Sequence, residues 1–278
     1  MTLSEYITDE ITDLFAAIPL SSCTLALERL ITGAPDDLFA VMMAVPYPRG
    51  GDACPLASFA RVRDYHLFFA SFEEDIRALL EEKYGGAYVK IFSDHSPIDE
   101  RRAALRSGLG VIGDNGLFIS EKYGSFVFLG EIICSLTEDQ LRAEGIEIRS
   151  DGGGECLHCG NCAASCPAGC IGGDKSLCVS ALTQKKGCLS DIERGIIKSG
   201  KYAWGCDICA EVCPMNDVPE PEYKDFFLHG RISPRSFEEL ESATGDDYGK
   251  YPFAWRKKEI MKRNFDVLTE SRKEIPND

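Results

Sequence analysis

The sequence predicts a mixed fold of the α/β or α+β class, divided into three parts. These are a layered α/β domain over residues 1–150, a ferredoxin-like domain over 151–220 and a helical segment over 221–278. Apolar strand-like runs alternate with helical stretches in the first half, and two cysteine motifs follow in the second. The glycine-rich stretch 151–154 is the predicted linker between them.

The elements of the first half follow from capping and periodicity. Thr2 and Glu5 have the spacing of a capping box, and the apolar residues after them recur at helical intervals, which predicts an opening amphipathic helix. The apolar run 38–45 predicts a strand that is buried on both faces. A helical face over 64–83 then precedes a second apolar strand over 87–92. Strand, helix and strand in this order imply layers of helices on a sheet.

A polar turn follows the second strand and contains Asp94 and the candidate cofactor-binding residue His95. Polar residues at the end of a buried strand are a natural place for chemistry. The chain then predicts a helix over 98–107 and two short strands over 117–119 and 126–133.

A glycine-rich stretch lies between that helix and the strands, and it holds the candidate cofactor residues Gly108, Gly110, Gly113 and Asn115. Its spacing is not that of a dinucleotide motif, and the sequence has no Walker loop. The glycines could allow close approach of the backbone to a bulky cofactor, or they could form tight turns between strands. The spacing alone leaves both interpretations open.

Two cysteine motifs dominate the second half. The first has the two-, two- and three-residue spacing of bacterial ferredoxins and ends in Cys-Pro; the second repeats that ending with three cysteines. The members are Cys156, Cys159, Cys162 and Cys166 in the first motif, and Cys206, Cys209 and Cys213 in the second. Zinc sites rarely carry the trailing Cys-Pro, and disulfides do not persist in a reducing cytosol. The motifs therefore predict two [4Fe–4S] clusters.

The crossed ligand rule of two-cluster ferredoxins sends the fourth cysteine of a run to the other cluster. The first cluster is predicted to bind Cys156, Cys159, Cys162 and Cys213. The second is predicted to bind Cys166, Cys206, Cys209 and one more thiolate, with Cys178 and Cys188 as candidates beside Cys170. Cys23, Cys54, Cys134, Cys170 and the candidate that does not bind iron are expected to be small buried or incidental residues.

Charge and composition narrow the function classes. The net charge is −15, and clusters held by four thiolates add no positive charge, so a broad nucleic-acid-binding surface is disfavoured. The basic stretch 256–263 is better explained as a solvated helix face. The N-terminus is acidic and no apolar run has membrane-spanning length, so we expect a cytoplasmic protein without a membrane partner.

Three passages together resemble the epoxyqueuosine reductase family of cobalamin-dependent iron–sulfur enzymes. The first is Arg-Asp-Tyr-His at 63–66, and the second is the signature that begins Asp-His-Ser-Pro at 94–97 and runs to 132. The third is the cysteine region, with Cys-Val-Ser-Ala-Leu-Thr at 178–183. The resemblance covers residues 38–268.

The resemblance implies a corrinoid-binding α/β domain, cobalamin as a cofactor and Cys178 as the eighth cluster ligand. It places Asp94 as the general acid beside the corrin, which suits a reaction that expels oxygen, and makes His95 and Glu100 plausible helpers. It also implies ferredoxin or flavodoxin as the electron donor and tRNA as the substrate. We expect a monomer.

Some positions differ from the family pattern. Val111 and Asp114 stand where the family usually has Trp and Lys, and Lys185 follows Gln184 where Glu is common. The sequence also lacks the helical-repeat extension of many members. Two other interpretations therefore stay open: a corrinoid-dependent reductase of a small molecule or of cobalamin itself, and a two-cluster electron carrier without catalysis.

Overall fold

The structure is a computed structural model that describes residues 1–50 and 52–270. Residues 271–278 of the predicted C-terminal segment lie outside the described residues. The strands are β1 (Phe15–Pro19), β2 (Phe39–Pro46), β3 (Val89–Phe92), β4 (Gly110–Ile112), β5 (Phe118–Ser120) and β6 (Val127–Cys134). The helices of the first half are α1 (Leu3–Tyr6), α2 (Tyr65–Ala70), α3 (Glu73–Tyr84), α4 (Glu100–Arg106) and α5 (Glu138–Ala143). Those of the second half are α6 (Asn161–Ser165), α7 (Val179–Gln184), α8 (Asp191–Gly200), α9 (Ile208–Glu211), α10 (Asp225–Leu228), α11 (Phe237–Thr244) and α12 (Lys258–Thr269).

A four-stranded antiparallel sheet in the order β1-β2-β6-β3 forms the centre of the first half. The central strand β2 is buried along almost its whole length, as the apolar run predicts. Its alternate side chains enter two cores. Val41 and Met43 pack with residues of α1 and α3, whereas Ala40 and Met42 pack with residues of α4. The mixed helix-and-sheet class is confirmed.

The opening helix is shorter than the periodicity predicts. After α1 a π-helical turn ends at Ile11, and Phe15–Pro19 forms β1 instead of continuing the helix. The Thr12 hydroxyl donates a hydrogen bond to the Ala44 carbonyl (2.7 Å) and accepts one from the Leu14 amide (3.2 Å). These bonds turn the chain into the sheet, and pairing with β2 outweighs the local helical pattern.

The predicted helix over 64–83 is two helices. Asp64 caps α2 by accepting from the His66 amide (3.0 Å), and the chain turns at Ser71 and Phe72 before α3 begins. The turn lets Phe68 and Phe72 stack edge to face, with ring centroids 4.9 Å apart. Aromatic packing therefore compensates for the break in helical hydrogen bonding.

The three predicted parts share hydrophobic cores. Leu56 from the first half forms a parallel bridge with Trp204, whose indole packs edge to face with Phe253. The predicted linker also packs, since the Gly152 amide donates to the Arg106 carbonyl (2.8 Å). The boundaries at 150 and 220 stay a prediction. Among the described helices, none combines the length and the apolar character needed to cross a membrane.

Candidate iron–sulfur centres and the Asp94 turn

The first cysteine motif and the end of the second motif line one cavity. Its cysteines are Cys156, Cys159, Cys162 and Cys213. Gly160 has φ +76°, so the chain reverses there and α6 begins with Cys162 in its first turn. Cys213 follows α9, which packs against α6. Four thiols on a reversed loop and a neighbouring helix end are a donor set that fits an iron–sulfur cube.

The second cavity has a volume of about 140 Å³ and an apolar wall that includes Pro167, Ile171, Val179 and Ile208. Its cysteines are Cys166, Cys170, Cys178, Cys206 and Cys209. Burial raises the pKa of the Cys206 thiol to about 12 and that of Cys209 to about 11. Because iron binds the thiolate, a cluster held by these thiols would displace their protons.

Each predicted set of four cysteines therefore lies around one cavity, although the ligand roles themselves stay a prediction. Cys178, the candidate implied by the resemblance, lines the second cavity, whereas Cys188 is exposed and lines neither. Cys170 was expected to be incidental, but it also lines the second cavity. Its position four residues after Cys166 is the sequence signal that could have identified it.

Asp114 and Asn115 line both cavities. The Asn115 amide nitrogen donates to the Cys209 carbonyl (3.4 Å), and its side-chain oxygen accepts from the Leu117 amide (3.1 Å). Asp114 Oδ1 lies 2.9 Å from His158 Nδ1, and the ligand atoms of Asp114, His158 and Cys156 lie within 4.8 Å of one another. Asn115 therefore places a side-chain amide at both cysteine cavities, and Asp114 places a carboxyl group there.

The candidate glycines are surrounded by the chain itself. A Cβ at Gly110 would lie 2.2 Å from the Ile119 carbonyl oxygen, and one at Gly113 would lie 2.6 Å from Asn115 Oδ1. Gly108 has φ +73° and connects α4 to β4. Tight packing of the β4–β5 hairpin explains why these positions need glycine. Their predicted contact with a cofactor stays untested.

The Asp94 turn holds its aspartate in a left-handed conformation, with φ +61°. Aspartate tolerates this region better than most residues, and such conformations concentrate at functional sites. The Asp94 amide donates to Glu100 Oε1 (2.7 Å), which fixes the turn to the start of α4. The Tyr65 and Asp94 side chains line the same cavity, and His66 Nε2 lies 4.0 Å from Asp94 Oδ2.

Two carboxyl groups lie side by side behind this turn. Glu131 on β6 is fully buried, its Oε1 accepts a hydrogen bond from the Ser96 hydroxyl, and its Oε2 has no ordinary donor. Burial raises the pKa of Glu131 to about 7. Burial and then the neighbouring Glu131 raise the pKa of Glu100 well above its usual range. One proton held between the two carboxyls supplies the missing donor.

A cavity of about 600 Å³ opens beside the Asp94 turn, a size typical of small-molecule and cofactor sites. Its wall includes Tyr65, Phe118 and Phe128. The Tyr65 ring is stacked against His66 and Phe128, with centroids 4.3 Å away in each case. His95 is exposed and is not part of this wall, so it does not join Asp94 at the cavity.

Sequence reasoning gave no role to three residues of this site, namely Tyr65, His66 and Glu131. Tyr65 and His66 lay within the Arg-Asp-Tyr-His stretch, whose polar and aromatic character was the available signal. Glu131 is the one acid inside the apolar run 126–133. A charge in a buried strand is unusual enough to have marked it.

An α/β domain followed by two cysteine cavities defines a two-cluster iron–sulfur protein. Residues 155–216 match the family described as "4Fe-4S double cluster binding domain", which assigns two [4Fe–4S] clusters to this segment. The chain is 32% identical over 214 residues to an epoxyqueuosine reductase from Synechocystis, covering 73% of this chain and 70% of that protein. The chain belongs to the epoxyqueuosine reductase family.

Other comparisons agree with this family. An epoxyqueuosine reductase from Staphylococcus aureus is 31% identical over 245 residues, which cover 81% of this chain and 61% of that protein. The chain thus spans about three fifths of that relative's length. The solved epoxyqueuosine reductase from Streptococcus thermophilus aligns with a TM-score of 0.65 at 26% identity, over 84% of this chain and 63% of that one. A structure in complex with an epoxyqueuosine-modified tRNA-Tyr stem loop aligns with a TM-score of 0.68 at 23% identity, over 95% and 79%.

Proposed function

We propose that this protein is a cytoplasmic oxidoreductase that reduces an epoxide of the epoxyqueuosine type, with Asp94 as the proton donor. Membership of the epoxyqueuosine reductase family supports the reaction class, and the geometry of the Asp94 turn supports the proton donor. A reducing compartment suits thirteen cysteines, of which eight are proposed to bind iron.

The chemistry requires an acid. Converting an epoxide to an alkene breaks both carbon–oxygen bonds, consumes two electrons and two protons, and releases the oxygen as water. Oxygen leaves as an alkoxide or hydroxide unless a proton arrives with it. Asp94 lies on the wall of the 600 Å³ cavity and can deliver that proton to the departing oxygen.

Tyr65 and His66 support Asp94 from the α2 side. Burial, followed by the nearby Asp94 carboxylate, raises the pKa of Tyr65, so its hydroxyl keeps its proton beside Asp94. Burial opposes the charged form of His66, but the Asp64 and Asp94 carboxylates outweigh it and raise the His66 pKa. A protonated imidazole 4.0 Å from Asp94 Oδ2 is a suitable source for returning the proton after turnover.

The cavity that Asp94 lines is the proposed cobalamin site. Tyr65, Phe118 and Phe128 offer aromatic surface for one side of a planar macrocycle, and the volume is in the range of cofactor sites. The sequence contains no Asp-x-His-x-x-Gly motif that would provide a cobalt-ligating histidine. When bound, cobalamin supplies the electrons for carbon–oxygen cleavage.

The cluster ligands complete the proposal. Cys156, Cys159, Cys162 and Cys213 hold the first cluster, and Cys166, Cys178, Cys206 and Cys209 hold the second. Their grouping around two separate cavities supports these sets. A ferredoxin or flavodoxin is the proposed electron donor, and a tRNA that carries the modified base is the proposed substrate.

The test compares Asp94→Asn with the parent in the turnover of an epoxyqueuosine-containing tRNA stem loop. Removing a general acid should lower the rate roughly 10²–10⁴-fold. Asp36→Asn is the control, because Asp36 is an exposed acid that lines none of the cavities described above. Equal activity of Asp94→Asn and the parent, at equal iron content, would eliminate the acid role.

A small-molecule substrate is the second candidate, because a net charge of −15 disfavours binding of a polyanion. Offering the stem loop, the free nucleoside and cob(II)alamin to the reduced protein separates the cases. Turnover of the nucleoside or of cobalamin without the stem loop supports this candidate. If anaerobic titration leaves the electron paramagnetic resonance of cob(II)alamin unchanged, a two-cluster electron carrier becomes the better account.

A further inference from the structure

The second cavity holds five thiols, although a [4Fe–4S] cluster needs four. The fifth, Cys170, is 5% exposed, and its Sγ lies 3.5 Å from Cys166 Sγ. Cys178, Cys206 and Cys209 line the same cavity. Cys170 therefore contacts one of the proposed ligands and shares the cavity with the other three.

The backbone after Cys166 turns so that Cys170 comes back toward it. The Gly169 amide donates to the Cys166 carbonyl (3.0 Å), and Gly169 has φ +57°, which favours glycine. The Gly173 amide in turn donates to the Cys170 carbonyl (3.2 Å). A buried cysteine elsewhere would simply pack as a small hydrophobe. Here two turns fix the sulfur among other sulfurs beside a cavity of about 140 Å³.

We propose that Cys170 is a reserve ligand of the second cluster, which binds the iron corner that Cys166 leaves vacant. In this exchange the bond between iron and Cys166 breaks and the Cys166 thiolate takes up a proton, while the Cys170 thiol loses its proton and its thiolate forms the new iron–sulfur bond, so no electron is gained or lost. The short Sγ–Sγ distance means that a side-chain rotation and a small shift of the turn are sufficient. A cluster with such a spare thiol survives the loss or oxidation of Cys166.

The experiment reconstitutes the whole chain anaerobically and counts iron and sulfide. Cys166→Ala and Cys170→Ala should each keep about eight irons per chain, whereas the double variant should fall to about four. Alanine is used because a serine oxygen could itself bind iron. The four irons of the first cluster, seen by electron paramagnetic resonance after reduction, report that the double variant is folded.

The role of Cys170 is overturned if Cys166→Ala alone falls to about four irons, or if the double variant keeps about eight. Should Cys166→Ala fail to fold, the pair Cys178→Ala and Cys170→Ala/Cys178→Ala replaces it, because Cys178 lines the same cavity as Cys170. Retention of eight irons in the single variant then supports the reserve role, and its loss overturns it.

This inference rests on the proposed ligand sets, and Cys209→Ala distinguishes the two failures. Its sulfur has no contact with Cys170 of the kind that Cys166 has. If Cys209→Ala keeps about eight irons, the ligand set itself is wrong. If Cys209→Ala and Cys166→Ala both fall to about four, the set stands and only the reserve role fails.

Discussion

The two cysteine cavities share one spacing rule but differ in their surroundings. Around the first, Cys159 is exposed and the Asp114–His158 pair lies within 4.8 Å of Cys156. Around the second, the neighbours are four apolar residues, Lys175 and the shared Asp114 and Asn115, and the fifth thiol is buried. The first site therefore has four cysteines, one of them exposed, whereas the second has a fifth cysteine that is buried. Ligand spacing fixes the cluster type, and the neighbouring residues differentiate the two sites.

The largest effect expected from this difference is the loss of the first cluster on a single substitution. Cys162→Ala removes a proposed ligand from a cavity with no fifth cysteine in the described part of the chain. Iron should fall from about eight to about four per chain. Cys54→Ala is the control, since Cys54 lines neither cavity. Full iron content in Cys162→Ala would show that the first site also tolerates the loss of one cysteine. The two sites would then not differ in this respect.

A smaller effect should separate the two clusters electrostatically. Asp114→Asn removes a negative charge that disfavours reduction, so both midpoint potentials should rise, by some tens of millivolts for the first cluster. The shift should be larger there because Asp114 is paired with His158 beside Cys156. Potentiometric titration followed by electron paramagnetic resonance measures both. Asp139→Asn is the control and should leave both midpoint potentials unchanged. Equal shifts in Asp114→Asn would mean that Asp114 affects the two clusters to the same extent.

The sequence predicted the parts of this molecule that depend on spacing and on long apolar runs. The cysteine sets and the strands β2 and β6 follow from such local patterns. β1 was missed because its pairing with β2 is a long-range interaction that helical periodicity cannot reveal. The Glu100–Glu131 contact was missed for the same reason, because it depends on how the chain returns to an earlier segment. Cys170 differs, because its position four residues after Cys166 is a local signal.

Glu131 lies outside both cysteine cavities, so a substitution there tests whether the difference between the cavities depends only on their own lining residues. Glu131 has a raised pKa, so the native protein holds more protons than the unfolded chain between about pH 4.5 and 7. The free energy of unfolding should therefore fall as pH rises through this range. Between pH 6 and 8, this fall should be smaller in the Glu131→Gln variant than in the parent by on the order of 1 kcal/mol.

Urea unfolding at the two pH values measures this change. The groups that face the pair are Asp94 and Tyr65 on the cavity side and Cys23 near β1, and these stay the same in the variant. Both cluster potentials should match the parent. A pH slope identical to that of the parent would show that Glu131 is not the titrating group. A changed potential at one cluster only would mean that the difference between the cavities reaches beyond their own walls.

The smallest effect is expected at Cys188, which the spacing alone left as a candidate for the eighth ligand. Its side chain is exposed and lines neither cavity, whereas Cys178 lines the second. Cys188→Ala should therefore keep about eight irons and both reduced-cluster signals. Loss of four irons in Cys188→Ala would show that Cys188, and not Cys178, is the eighth ligand. A ligand of the second cluster would then be exposed to solvent. The contrast between an exposed first site and an enclosed second site would then no longer hold, because both clusters would have an exposed thiolate.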